Sequence, residues 1–315
     1  MRYLLTVDVG GTWMRAARFP WPPPPHRPPL LARVQRPTPQ EDPTAALIRL
    51  LQDVWPEEGE VHGIGVAAPG PLDPYRGVVL TAPNVPAWKE EPLQAKIEGA
   101  LGVPVRLGND ANLAALGEAH YGAGRGRAHV LYLTLSTGVG GGVVCHGRLL
   151  LGAHGLAGEL GHITVDPQGP MCPCGQRGHL EALVAGPALV GTARRALADH
   201  PSSRLHDASP LTGEAIARAA HEGDALAQRI LEDAGRYLGQ ALADLCHIFN
   251  PEVIILGGGV SRSGPWLWEA ARRTLEDRLM QPDYLPDLAP AQLGDDVGLL
   301  GAYALWLSGP FEDRR

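Results

Sequence analysis

Lysine is almost missing from this chain of 315 residues. It occurs only at Lys89 and Lys96, and arginine carries the rest of the positive charge. That bias fits a GC-rich genome better than heat adaptation, because hyperthermophiles enrich lysine as well. No basic block occurs anywhere, and the formal net charge is -7, which argues against nucleic acid as a main partner. No GK[ST] follows a glycine-rich turn, so the P-loop class of nucleotide site is excluded. No apolar run reaches the ~18 residues of a membrane span. Met1–Asp8 is too short for a secretory leader. Cysteine is scarce too: Cys145, Cys172, Cys174 and Cys246. Two of the four fall in a metal-like pattern, so a disulfide framework is not expected and a reducing cytoplasm is. Hydrophobic residues make up 44%, ordinary for a globular protein, and the length suggests two domains.

What is present concentrates between Glu159 and Glu181, which read ELGHITVDPQGPMCPCGQRGHLE. His162, Cys172, Cys174 and His179 are four residues of the types that zinc takes tetrahedrally. Gly175 and Gly178 allow the tight backbone needed to wrap a metal. The bland alternative is two free thiols in a surface loop, but the flanking histidines and glycines favour zinc. Two carboxylates, Glu159 and Glu181, bracket the pattern. A metal-tied loop with an acid at each end can fix acceptors for a polyhydroxylated ligand.

The chain pattern predicts an α/β protein. Strands are expected at Arg2–Asp8, Met14–Phe19, Leu31–Arg36 and Gly63–Ala68, with a helix over Pro43–Trp55. The stiff segment Trp21–Leu30, WPPPPHRPPL, joins the second strand to the third; a partner-binding proline motif is the lesser reading. A second start follows: a strand at Val103–Leu107, a helix through His120, a strand at Val130–Leu135, a glycine turn STGVGGG and a returning strand at Val143–His146. Helices are predicted at about Pro187–Asp199, Thr212–Glu222, Ala225–Phe249, Trp266–Leu279 and Leu299–Leu307, with a buried strand at Val253–Leu256. Strand, glycine turn and strand thus occur twice, which points to two similar lobes with a cleft between them.

Three glycine turns carry the chemistry. Asp8-Val9-Gly10-Gly11-Thr12 puts an acid at a strand end, and its glycines let backbone N–H groups approach a phosphate. Ser136–Gly142 offers the same features. Gly257-Gly258-Gly259 follows a buried strand, where a base and ribose could slide past the backbone. Each alone reads as a hairpin turn; three together read as a nucleotide site. In Gly108-Asn109-Asp110-Ala111-Asn112, Asp110 stands near a helix N-terminus as either a cap or a general base.

These stretches resemble the ROK family of sugar kinases and repressors, most closely its bacterial glucokinase branch. The resemblance covers essentially the whole chain. It is carried by DVGGT (8–12), APGPLD (68–73), APNVPAW (82–88), GNDAN (108–112), STGVGGG (136–142), GELGH (158–162), CPCGQRGHLE (172–181) and LGGGVS (256–261). It implies an actin-like ATPase (ribonuclease H-like) fold of two lobes. The smaller lobe would be residues 1–107, joined by a C-terminal helix at about 299–315. The larger would be 108–298 with the zinc loop inserted. It implies ATP-dependent phosphorylation of a hexose at O6, with glucose favoured. Other sugars (mannose, fructose, N-acetylmannosamine, N-acetylglucosamine), polyphosphate as donor, or a non-catalytic sugar-sensing regulator are the alternatives. The repressor branch carries a helix-turn-helix ahead of DVGGT, and none is expected here.

Carried over by motif, Asp110 would be the base. Gly70, Asn84, Asn109, Glu159, His162 and Glu181 would bind the sugar. Asp8 would orient Mg²⁺, directly or through water. Gly10, Gly11, Thr12, Thr137 and Gly138 would hold phosphates, and Gly258 and Gly259 would face the adenosine. Zn²⁺ would be structural, and the protein a cytoplasmic homodimer or homotetramer. Two departures stand out: His179 occupies a position where the family motif has cysteine, and Trp13 one where lysine is frequent. Cys145, Cys246, His120, His154 and His247 read as packing or surface residues. Trp88 either walls the sugar or packs.

Overall fold

The computed structural model describes residues 1–308; residues 309–315, the end of the helix expected over about 299–315, lie outside the described residues. The first elements are β1 (Arg2–Val9), β2 (Trp13–Trp21), β3 (Ala32–Pro37), α1 (Pro43–Asp53), β4 (Glu60–Ala68), β5 (Leu72–Asp73), β6 (Val78–Thr81), β7 (Lys89–Glu91), α2 (Leu93–Leu101), β8 (Val105–Asn109) and α3 (Asp110–Tyr121). Next come β9 (His129–Leu135), β10 (Val139–Cys145), β11 (Arg148–Leu149), α4 (Leu180–Val184), α5 (Gly186–Ala196) and α6 (Gly213–His221). The chain continues through α7 (Ala225–Phe249), β12 (Val253–Gly257), α8 (Pro265–Arg278), β13 (Asp287–Pro290) and α9 (Val297–Ala304). Among the described residues, no helix is long and apolar enough to cross a membrane.

Packing divides the chain into two units. The first contains Met1–Ala128, Gly142–Gly158 and the chain from Ala291. Its main sheet has the order β3-β2-β1-β4-β8. The β1–β2 and β2–β3 pairs are antiparallel, whereas β1–β4 and β4–β8 are parallel. Side chains alternate across a strand, and here both faces are covered. Leu5, Val7, Met14 and Ala16 face a core with Leu47, Leu50 and Leu51 of α1. Leu4, Ala17 and Phe19 face Leu299, Leu300 and Tyr303 of α9. Double coverage explains why β1 reads as an apolar run and not as an alternation. Trp88 is buried and donates from Nε1 to Thr44 Oγ1 at 2.9 Å, so it packs the core beneath α1.

Some elements differ from expectation. The sheet β5-β6-β7 and helix α2 were not foreseen. Strands of two to four residues between prolines and turns carry no usable period. The first unit runs past residue 107 to Ala128 before the chain enters the second. The reason is α3, which packs on α9: a Cβ on Gly117 would come 3.0 Å from both Gly301 N and Val297 O. Only glycine permits helices to approach so closely.

The second unit contains His129–Gly141 and Glu159–Pro290. Its strands β9, β12 and β13 belong to the sheet of order β11-β10-β9-β12-β13, with β12 parallel to both β9 and β13. Helix α7 begins where Asp224 accepts from Ala227 N and ends at Asn250 in the left-handed region. It lies against α8 because Gly235 and Gly239 leave room for the α8 backbone. The glycine turn expected over 136–142 is shorter: β10 begins at Val139 and continues into the first unit at Gly142. Gly142 serves packing, since a Cβ there would lie 2.6 Å from Ala115 Cβ on α3.

Candidate active site

In the first unit, β1 carries Asp8 just before its end at Val9, and the chain reverses through Gly10 and Gly11, with Gly10 N donating to Trp13 O at 2.9 Å. Thr38 Oγ1 donates to Gly10 O at 2.6 Å and steadies the turn. Gly11 abuts the Asn84 segment: its Cβ would lie 2.7 Å from Asn84 Cβ and 3.1 Å from Asn84 O. The family-derived phosphate residues Gly10, Gly11 and Thr12 are thus placed beside the family-derived sugar residue Asn84. Burial pushes the Asp8 carboxyl up to about 6; Arg15, at 3.4 Å, pulls the other way, and Asp295 adds to the rise. A single oxygen-donor carboxylate beside a phosphate-sized turn suits Mg²⁺, which uses one or two carboxylates together with substrate phosphates. Trp13, in the frequent lysine position, is exposed.

Asn109 and Asp110 meet at the junction of β8 and α3. The cap is Asn109, whose Oδ1 accepts from Ala111 N at 3.0 Å and Asn112 N at 3.1 Å. Asp110 is the first helical residue, and its Oδ1 accepts from Ala111 N at 2.8 Å. The capping reading of Asp110 therefore gives way to its neighbour. Gly70 touches the same place, since a Cβ on it would sit 3.0 Å from Asn109 Nδ2. Gly70, Asn109 and Asp110 form one cluster.

In the second unit, the four proposed metal ligands come together. One ligand atom from each of His162, Cys172, Cys174 and His179 lies within 4.8 Å of all the others. Cys172 Sγ is 3.7 Å from His162 Nδ1, and Cys174 Sγ is 3.2 Å from His179 Nδ1. Zinc bonds of ~2.3 Å to sulfur and ~2.05 Å to nitrogen imply S···N edges of about 3.5 Å in a tetrahedron, so the donor set fits that ion. The loop is shaped by the bridges Thr164↔His179 and Met171↔Arg177. Gly178, at φ 67, passes so close to the Asp166 backbone that no side chain could be placed there. Burial pushes the Cys172 thiol up to about 11, so a thiolate there needs a cation's help.

His162 uses Nδ1 toward the cluster and holds Nε2 3.9 Å from Glu159 Oε2. Glu181 ties the metal loop to the second glycine turn. Its Oε2 accepts from Val139 N at 2.9 Å, and its Oε1 lies 3.7 Å from Cys172 Sγ. Gly138 is pressed against it, with 2.6 Å from a would-be Cβ to Glu181 Oε2. Glu181 therefore links Gly138 and Val139 of the second glycine turn to Cys172 of the metal loop.

A cavity of ≈ 600 Å³ opens beside Thr137 and Gly259, walled by Pro187, Val190, Leu211 and Val260. Gly259 lines it; Gly258 instead packs on the backbone of Leu135. Sequence reading missed Gly186, Pro187, Thr212, Gly213 and Glu214, which also line it. They start α5 and α6, and the proline and the Thr212 cap are ordinary helix-start signals that carry no mark of a ligand.

Comparison with known proteins places this geometry. The ROK family profile matches residues 4–308. A glucokinase of Thermotoga maritima is 37% identical over 311 residues, covering 96% of each chain. A solved ROK hexokinase from Thermus thermophilus is 40% identical, with TM-score 0.80 over 97% of this chain and 98% of that one. A ROK family glucokinase from Streptomyces griseus, solved in complex with glucose and AMPPNP, is 34% identical, with TM-score 0.77 over 96% and 98%. The chain belongs to the ROK family. Its α/β architecture is the actin-like ATPase fold of that family's kinases.

Proposed function

We propose that the chain is an ATP-dependent sugar kinase that phosphorylates a hexose at O6, with glucose as the preferred substrate. The observation that carries this reading is the division of roles at Asn109–Asp110. Asn109 supplies the helix cap, so the adjacent carboxylate is not needed for capping. A sugar sensor has no use for an acid fixed beside the cap; a kinase has, because the attacking hydroxyl must lose a proton. Relatives named glucokinase and hexokinase, matched along nearly the whole chain, support the substrate.

In this reading Asp110 accepts the proton from O6. Asn109, Gly70, Asn84, Glu159, His162 and Glu181 bind sugar hydroxyls. Glu181 spends one oxygen on Val139 N, and a carboxylate's remaining lone pairs still serve a hydroxyl. Gly10, Gly11, Thr12, Thr137 and Gly138 hold phosphates, while Gly259 flanks the adenosine and Gly258 shapes the turn behind it. Asp8 holds Mg²⁺, which when bound neutralises charge on the phosphates. His162, Cys172, Cys174 and His179 hold a structural Zn²⁺ that fixes Glu159 and Glu181. The enzyme works in the cytoplasm as a homodimer or homotetramer, and sedimentation showing only monomer at micromolar concentration would remove that part.

The test is an ATP-coupled assay over a panel of sugars, with Asp110→Asn alongside. Glucose should give the highest kcat/KM. Asp110→Asn should lower kcat by about 10²–10⁴-fold while glucose still binds. Near-normal kcat in this variant would end the assignment, and a native protein that binds sugar without turnover would favour the regulator.

A further inference from the structure

The proposed reaction sets an electrostatic problem. The donor is a polyanion, and the charge it develops during transfer needs cations aimed at it. The chain carries net charge -7, and none of the three glycine turns, Gly10–Thr12, Ser136–Gly138 and Gly257–Gly259, contains a cationic residue. The two lysines are placed elsewhere. Lys89 is on β7, and Lys96 is paired with Glu91 at 2.9 Å. Arg262 lines the large cavity together with Gly259, on the side read as the adenosine's.

Arg15 is different. It stands directly across from Asp8 in the β1–β2 register, one step beyond the pair that closes the Gly10–Thr12 turn. Its guanidinium has one contact among the described residues, Nη1 to Asp8 Oδ2 at 3.4 Å. Its Nε is buried and has no acceptor among the described residues. A guanidinium offers five N–H donors in a planar fork. One long bond leaves most of that fork unused in a site with limited solvent, an unfavourable state unless an anion completes it. Asp8 cannot swing to take more of it. The start of α9 lies against the carboxylate, with a Cβ on Gly298 falling 2.6 Å from Asp8 Oδ1.

We propose that Arg15 is a phosphate-binding residue that meets the terminal phosphate of the nucleoside triphosphate at the Gly10–Thr12 turn. The inference rests on the kinase reading above. The competing role is purely structural, with Arg15 serving only to neutralise Asp8. That role predicts a paired carboxylate and a satisfied fork; the structure gives a single 3.4 Å contact and an unpaired Nε. The two roles also differ in what they discriminate. A neutraliser affects all nucleotides alike, whereas a terminal-phosphate ligand distinguishes ATP from ADP.

Calorimetric titration of ATP, ADP and adenosine into native protein, Arg15→Met and Arg15→Lys, with Mg²⁺ and without sugar, tests this. Arg15→Met should weaken ATP binding about ten- to hundredfold, the range for losing charge-assisted hydrogen bonds. ADP and adenosine should change less than about twofold, within the scatter of substitutions that touch no ligand. Arg15→Lys should fall between native and Arg15→Met for ATP, because charge is kept and the fork is lost. Equal weakening of ATP and ADP, or no change in either, overturns the assignment while leaving the kinase reading intact. If Arg15→Met does not fold, Arg15→Lys decides: ATP affinity equal to native overturns the proposal, and a selective loss for ATP supports it. Native protein that binds ATP no better than adenosine overturns both.

Discussion

The glycine turns after β1 and after β9 have the same form, strand, glycine turn and strand, but are fixed in different ways. After β1, the acid belongs to the strand itself: Asp8 faces Arg15 across the hairpin, and Gly11 presses on Asn84. After β9, the acid comes from another element. Glu181 at the start of α4 accepts from Val139 N and presses on Gly138, and it also reaches the metal loop through Cys172. The first turn is thus built from its own hairpin, and the second depends on a loop that a metal would organise. The same motif can be held rigid by local pairing or by a distant clamp, and perturbations should travel differently from each.

The largest expected asymmetry is at the two acids. Asp8→Asn should reduce kcat/KM for ATP by about 10²–10³-fold, the scale of a lost electrostatic stabiliser. It should also raise the melting temperature at pH 7. Burial lifts the Asp8 carboxyl from 3.8 to about 6, so its ionised form is less favourable folded than unfolded, and stability falls as pH rises from about 4 to 6. A variant that loses activity and stability together would break this account of the first turn.

Next in size is a matched pair of glycine substitutions. Gly11→Ala meets Asn84 Cβ and its backbone carbonyl, neither of which can easily retreat. It should cost about 1–3 kcal/mol in stability. Gly138→Ala meets only the tip of a carboxylate. Glu181 can turn away, so stability should change less and sugar KM should rise more than ATP KM. Equal stability losses in the two variants would erase the distinction between the turns.

Acidity should separate them further. Below pH 6 Asp8 becomes protonated, so kcat/KM for ATP should fall about fivefold between pH 6 and pH 5 if its charge is required. In Asp8→Asn that step should vanish, and a pH–rate profile unchanged by the substitution would exclude Asp8 as its source. The smallest effect expected is from metal removal. Chelation should lower the melting temperature and raise sugar KM severalfold through Glu159 and Glu181, with less change at the first turn; metal analysis should give about one zinc per chain. A metal-free protein with native stability and sugar KM would show the cluster to be incidental.

Much of this was legible in the sequence, for local reasons. Helix α7 was read at its full bounds because Asp224 caps it and Asn250 ends it. The cluster of four candidate metal ligands was readable because they lie within one short stretch and need only a tight loop to meet. Misreadings came where one residue type serves two purposes. Gly140, Gly141 and Gly142 look like turn residues, yet they sit in β10, where Gly142 makes room for α3. Asp110 stood open between cap and base because aspartate caps helices, and only the structure shows that Asn109 is the cap. The cavity walls at Gly186, Pro187 and Thr212 were unreadable because helix starts at separate points in the chain converge only after folding. The placement of α3 in the first unit was likewise invisible, being decided by α9, far along the chain.

That last helix has a consequence for how the protein is made. One face of the first sheet, with Leu4, Ala17 and Phe19, is covered by Leu299, Leu300 and Tyr303. Those partners emerge from the ribosome only after all the residues of the second unit. The first unit is therefore begun first and finished last. During translation its nascent sheet must wait with one apolar face uncovered while the inserted unit folds, and this is the interval in which chaperone binding or aggregation would compete with folding.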